Sequence, residues 1–253
     1  MIPQVTLIRA GNPGPMTLDG TNTWVLAGAG IRLVIDPGPL EEAHLRRVAE
    51  VGPVDVILLT HRHADHAEGA PRLAELTGAP VLDRAGLPDG EFVGCVQVLH
   101  TPGHTADSVS FLLAGKPAGD PAHNAAGTHA GDLPAGAPAV LTGDTILGRG
   151  STVVAHPDGD LRAYLSSLRR LADLGDIAVL PGHGPALPSV AAAAGQYLTH
   201  RAARLEQVRA ALTAGDRSAG DVVRRVYADV DPALWPAAEM SVRAQLAYLD
   251  ETA

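Results

Sequence analysis

LLTHRHADHAEGA, residues 58–70, sets an apolar run directly against His61, His63, Asp65 and His66, with only Arg62 and Ala64 between them. The run that leads in, VDVILLT (54–60), has the apolar, β-branched content of a buried strand. The stretch that leads out, DHAEGAPRLAELTG (65–78), opens on an acidic residue and closes on glycine, as a helix does. His61 and His63 therefore fall in a loop at a strand's carboxyl end, and Asp65 and His66 open the next helix. Imidazole and carboxylate are the ligands that suit zinc and iron(II). A strand end with a tight loop can aim several such groups at one point. So short a segment can hardly wrap an ion, so further ligands must come from elsewhere in the chain.

Working outward, three more candidates share that context. His104 in VLHTPGHT follows a strand and a Pro-Gly turn, Asp144 ends the apolar strand AVLTGD, and His183 in IAVLPGH follows another Pro-Gly turn. Asp36 in VIDPG also ends a strand. It is a candidate to accept the second ring N–H of a ligating histidine, the alternative being a plain turn aspartate before Pro-Gly. Asn22 and Thr23 in LDGTNT and Ser151 in GRGST are candidates to support the ligands or meet substrate. His156 in VVAHPDGD is a loop residue before proline or a substrate-facing one.

The rest of the chain bounds the class. Its 253 residues allow one large domain, or one with a small appendage. With 46% apolar and 19% charged residues it is globular, and with 3% aromatics the packing falls to Ala, Leu and Val. A formal net charge of −9 argues against non-specific nucleic-acid binding, which rests on Lys and Arg, although a local basic patch is compatible with it. A single cysteine, Cys95, excludes an intrachain disulfide and fits a reducing compartment; its apolar neighbours mark it as a buried strand thiol. The N-terminus carries no long apolar leader, and no segment approaches the ~18 apolar residues of a membrane span. A cytoplasmic protein with no membrane partner is expected.

Strands and helices alternate up to about residue 190. A segment rich in Ala, Gly, Pro, Asp and His, 115–139, interrupts them and is expected to be a flexible insertion, with His123 and His129 solvated in it. From residue 189 the pattern turns purely helical, in three segments. The expected division is a catalytic domain over 1–195 and a helical domain over 196–253.

The chain resembles the metallo-β-lactamase superfamily over roughly residues 5 to 190. THRHADH matches its H-x-H-x-D-H signature, and TPGHT, LTGDT and LPGHG match its later blocks. The resemblance implies a four-layer αββα sandwich of the α/β class with its site at one edge. It implies that His61, His63 and His104 bind one metal, that Asp65, His66 and His183 bind the second, and that Asp144 bridges them. Seven ligands are too many for one tetrahedral ion and suit two. Two Zn2+ are therefore expected, and Asp65 and Asp144 join the catalytic apparatus around a metal-bridging hydroxide. One Fe2+ held by His61, His104 and Asp144, as in a persulfide dioxygenase, is the alternative.

Within the superfamily, NPGPMTLDGTNTWVL, GRGSTVVAHPDGDLRAYLSSLRRL and the C-terminal helices look like the lactamase-beta-2-like branch with its winged-helix-type appendage. That branch implies a hydrolase acting on single-stranded RNA or on thioesters and esters; a glyoxalase II-type thioesterase or a lactonase is the alternative. The chain stops at LDETA, too soon for a β-wing, so the appendage is expected to pack or to serve a possible homodimer. Its Arg201, Arg204, Arg209, Arg224 and Arg225 are expected on solvated helix faces, with a phosphate-facing patch as the alternative.

Overall fold

Side chains alternate across each strand, and in the computed structural model, which describes residues 3–28, 30–113 and 137–251, that alternation feeds three apolar layers. One five-stranded sheet runs β1 (Gln4–Arg9), β2 (Asn22–Gly28), β3 (Ile31–Ile35), β4 (Val56–Leu58) and β5 (Val81–Leu82). The other runs β10 (Ala178–Pro181), β9 (Ala139–Gly143), β8 (Val109–Leu113), β7 (Val96–His100) and β6 (Phe92–Val93). Trp24, Leu26, Leu33 and Ile35 face Val98, Phe111 and Leu141 between the sheets. Their strand neighbours Val25 and Val34 point the other way, onto α1 (Glu42–Ala49) and α3 (Ala70–Thr77). Across the second sheet Val140 and Val179 pack on α4 (Leu161–Ala172) and α5 (Val190–Thr213). Two sheets with helices on both outer faces make the αββα sandwich, as expected.

Pairing is antiparallel except between β3 and β4, β4 and β5, and β9 and β10. The parallel strands put successive carboxyl ends on one edge of the sandwich. Asp36 follows β3, His61 and His63 follow β4, Asp144 follows β9 and His183 follows β10. His104 reaches the same edge after β7.

The expected helix over 65–78 is two helices, α2 (Ala64–Ala67) and α3, broken at Glu68 and Gly69. The cause is tertiary. Gly69 N–H donates to Gly38 O at 2.9 Å instead of continuing the helix, and a Cβ there would stand 2.9 Å from the carbonyl oxygens of Gly38 and Pro39. Pro71, in the first turn of α3, has no N–H to bridge the break. Cys95 is half-buried in the turn between β6 and β7 and not within a strand. Burial pushes its thiol pKa up.

The C-terminal segments are helical, as expected: α5, α6 (Ala219–Val226) and α7 (Trp235–Glu251). No strand occurs in the described part of this region. α5 runs without interruption through residues 195 and 196, and Leu205 and Ala244 join the layer on the second sheet while Val208, Val222 and Val242 form a separate cluster. Residues 114–136, which hold most of the expected insertion with His123 and His129, lie outside the described residues. No helix among the described residues is long and apolar enough to cross a membrane.

Gly103 shows how tightly the edge is assembled. Its φ is +138°, and a Cβ would stand 2.3 Å from Tyr164 Cα and 2.4 Å from Tyr164 N, backbone atoms of α4. Gly103→Ala is expected to cost about 3 kcal/mol through strain and overpacking. Thermal unfolding checks this: the midpoint should fall by about 6–12 °C, and an unchanged midpoint would mean that α4 yields freely.

Candidate metal centre

The strand ends and the short helix α2 bring seven side chains together. Around His63 Nδ1 lie His61 Nε2 at 3.0 Å and His104 Nε2 at 3.1 Å. Around His183 Nε2 lie Asp65 Oδ2 at 3.1 Å, His66 Nε2 at 3.2 Å and Asp144 Oδ2 at 3.4 Å. Asp144 sits between the two groups: Oδ1 is 3.4 Å from His66 Nε2, and Oδ2 is 3.8 Å from His104 Nε2. Imidazole nitrogens on a tetrahedral ion at about 2.0–2.1 Å stand about 3.3 Å apart, so these separations are those of coordination edges. His61, His63 and His104 form one set able to hold a metal ion, and Asp65, His66 and His183 another.

Hydrogen bonds behind the rings fix which nitrogen faces inward. The Thr60 hydroxyl donates to Asp36 Oδ2 at 2.6 Å, so it accepts from His61 Nδ1–H at 3.0 Å. His104 Nδ1–H donates to Val153 O at 2.7 Å, His66 Nδ1–H to Asp36 Oδ2 at 2.8 Å, and His183 Nδ1–H to Gly20 O at 3.3 Å. Each of these four rings, when neutral, presents an Nε2 lone pair to the centre.

Asp36, His61 and His66 also approach closely enough to suggest a third set. Both Asp36 oxygens are already engaged, however: Oδ1 accepts from Thr60 N–H at 2.8 Å, and Oδ2 from the Thr60 hydroxyl and His66. Asp36 thus orients His66 and is not free to ligate. Its φ of +50° is held by Thr23, whose hydroxyl donates to Asp36 O at 2.7 Å and accepts from buried His44 Nε2 at 2.9 Å.

Electrostatics inside the centre divide in two. Burial holds His61 and His104 below the usual imidazole pKa. Burial opposes charge on His66 and His183 too, but carboxylates outweigh it. Asp144 and Asp36 hold His66 well above the ordinary value, and Asp144 with Asp65 pushes His183 up to about 9. In turn, His66 and His183 overcome burial to keep Asp144 well below the usual carboxylate range. The carboxylates draw positive charge into this half of the centre, and a metal cation satisfies the same demand. Asp144 Oδ1 is buried with no hydrogen-bond partner among the described residues. Gly182 keeps the space beside it open: a Cβ would stand 2.6 Å from Asp144 Oδ1 and 2.7 Å from His66 Cε1. A buried carboxylate oxygen left without a donor fits a cation.

The remaining candidates disperse. Asn22 is a buried brace whose amide donates to Pro181 O at 3.0 Å and Gly184 O at 2.9 Å, tying β2 to the His183 turn. Ser151 lines a cleft of about 330 Å³ that opens from His104 and Asp144 toward the C-terminal helices. His156 is exposed and borders a small separate hollow beside Tyr248 and Glu251. Residues that sequence reasoning passed over do much of the positioning. Thr60, His44 and Thr152 belong here, the Thr152 hydroxyl donating to Asp144 O at 2.7 Å. Nothing in their local sequence marks them, although Thr60 does stand just past the end of β4.

Of the five arginines expected on solvated faces, Arg209, Arg224 and Arg225 are exposed and paired with Glu206, Asp221 and Asp216. Arg204 is half-buried. Arg201 departs from that expectation: it is 3% exposed and donates to Thr152 O.

Residues 16–86 match the metallo-beta-lactamase superfamily, and residues 218–251 match the beta-lactamase associated winged helix domain. The lactamase-like protein adaB of Aspergillus niger is 32% identical over 243 residues, covering 85% of this chain and 69% of that protein. The atrochrysone carboxyl ACP thioesterase of Aspergillus fumigatus is 32% identical over 230 residues, 83% of this chain and 65% of that protein. The beta-lactamase-like protein 2 homolog of Drosophila melanogaster is 30% identical over 296 residues, 99% of this chain and 91% of that protein. Among solved structures, a metallo-beta-lactamase family protein from Thermus thermophilus shares the fold, with a TM-score of 0.72 at 24% identity over 98% of this chain and 94% of its own. ETHE1 from Myxococcus xanthus gives 0.57 at 25% identity over 94% and 98%.

Proposed function

Since the chain belongs to the metallo-β-lactamase superfamily and is a metal-dependent hydrolase, we propose that it cleaves a thioester or ester at a centre of two zinc ions. His61, His63 and His104 would hold one ion and Asp65, His66 and His183 the other, with Asp144 available to both groups. The observation that carries this is the place of Asp144, within 3.4–3.8 Å of Nε2 atoms from both nitrogen groups. When bound, the ions supply Lewis acidity, activating water near neutral pH and polarising the bond attacked.

The chain's own residues do the rest. Asp36, Thr60, Val153 and Gly20 take the Nδ1 side of four imidazoles, which leaves each Nε2, when the ring is neutral, as the atom that faces the centre. Asp65 is the more accessible of the two carboxylates, with 29% of its side chain exposed against 11% for Asp144. It is placed to accept a proton at a carboxylate oxygen and pass it to solvent. The cleft from His104 and Asp144 is walled by Leu18, Leu147, Val230 and Leu234, which suits the apolar body of an acyl group.

The similarity to a protein named as an acyl-carrier thioesterase supports a thioester. A phosphodiester of single-stranded RNA is the second reading, because three arginines also line the cleft. Assays on S-acyl thioesters and on single-stranded RNA, run in parallel, separate the two. Thioester cleavage is expected, abolished by a chelator and restored by Zn2+. Thioesters left intact while RNA is cut, with the cutting lost in His61→Ala, would overturn the acyl substrate.

A further inference from the structure

The far wall of the cleft carries more positive charge than the chain's net charge of −9 suggests. Arg149, Arg201 and Arg204 line it, and Asp144 is the sole carboxylate among the described lining residues. Arg149 is already held by Asp19 through two contacts of 2.6 and 2.7 Å. The other two have no carboxylate partner among the described residues. Arg201 donates to Thr152 O and lies 5.2 Å over the Tyr164 ring, while its buried Nε has no hydrogen-bond partner among the described residues. Arg204 donates to Val226 O and Gln207 Oε1 and stacks 4.2 Å over Tyr227. Their fields meet: after burial, Arg201 and Arg204 are what hold the pKa of neighbouring His200 down. A guanidinium so deeply buried without a counter-charge is costly, and an anion brought by a ligand offsets that cost.

We propose that Arg201 and Arg204 form an anion subsite for a carboxylate or phosphate group on the acyl substrate, whose apolar portion lies along Val230, Leu234 and Ala238. The inference rests on the acyl-substrate reading above and extends it: the C-terminal helices supply the specificity wall, and the substrate joins an apolar stretch to an anionic end. RNA fits this wall less well. The further arginines a phosphate backbone would use, Arg209, Arg224 and Arg225, are already paired with acids.

Binding of octanoate, octyl phosphate and neutral 1-octanol to the full chain, with and without added Zn2+, tests the subsite without turnover. At least one anion should bind about tenfold tighter than the alcohol in both conditions, as charge-assisted hydrogen bonds provide. Which of the two does so identifies the group. That preference should collapse in Arg201→Met and in Arg204→Met and be partly kept in Arg201→Lys; Arg204, at the cleft edge, serves if the buried substitution fails to fold. Equal binding of anion and alcohol, or a preference untouched in the variants that fold, would overturn the subsite. So would displacement of octyl phosphate by a single-stranded oligonucleotide with a steep salt dependence, which would assign the cations to nucleic acid. Because no bond is broken, these outcomes are independent of whether thioesters are hydrolysed.

Discussion

Asp144→Asn is expected to lower kcat/KM by about a thousandfold, close to 4 kcal/mol of transition-state stabilisation. The substitution keeps the side chain's shape and removes its charge. In the native chain that charge faces His66, His183 and His104 within 3.4–3.8 Å, and one of its oxygens is buried without a donor among the described residues. An amide there cannot join two cations, and its N–H can only point at nitrogens that must stay free to ligate. Metal content should fall together with turnover. A folded variant with full metal content and full turnover would remove Asp144 from the centre of the account.

Asp36→Asn should weaken metal binding by about 10–100-fold, the usual effect of losing a group that orients a ligand. Asparagine is the informative choice because residue 36 has a φ of +50°, a conformation that Asn tolerates and Ala does not. The amide oxygen can still accept from Thr60 N–H. The amide nitrogen, at the position of Oδ2, cannot accept from His66 Nδ1–H, so His66 loses the tautomer that faces Nε2 inward. Competition against a chelator of known affinity measures the change. Unaltered affinity would mean that packing alone orients His66.

The parts of the centre that were legible in the sequence share a physical signature. His61, His63, His104, Asp144 and His183 are polar residues at the abrupt ends of apolar strands, and an apolar strand gives no other reason for them. The buried strands were legible too, since residues 24–26, 33–35 and 139–141 are apolar on both faces and must be covered twice, while their arrangement in two sheets was an implication of the family resemblance. What escaped depends on distant contacts. The break at Glu68 and Gly69 comes from two carbonyls of the 38–39 turn. Thr60 reads as the last residue of a strand, yet its hydroxyl links Asp36 to His61. Arg201 lies in a helix with basic and polar neighbours, and only the packing of α5 against the second sheet and the 150–153 segment shows it to be buried.

The count of metal ions per chain is the most direct test of a two-ion centre. Protein stripped with chelator, reloaded with Zn2+ and passed through a desalting column should carry about two ions per chain. His104→Ala and His183→Ala should each carry about one, because they empty opposite halves. A wild-type chain that saturates at one ion, or one that takes up a single iron and excludes zinc, would contradict the account.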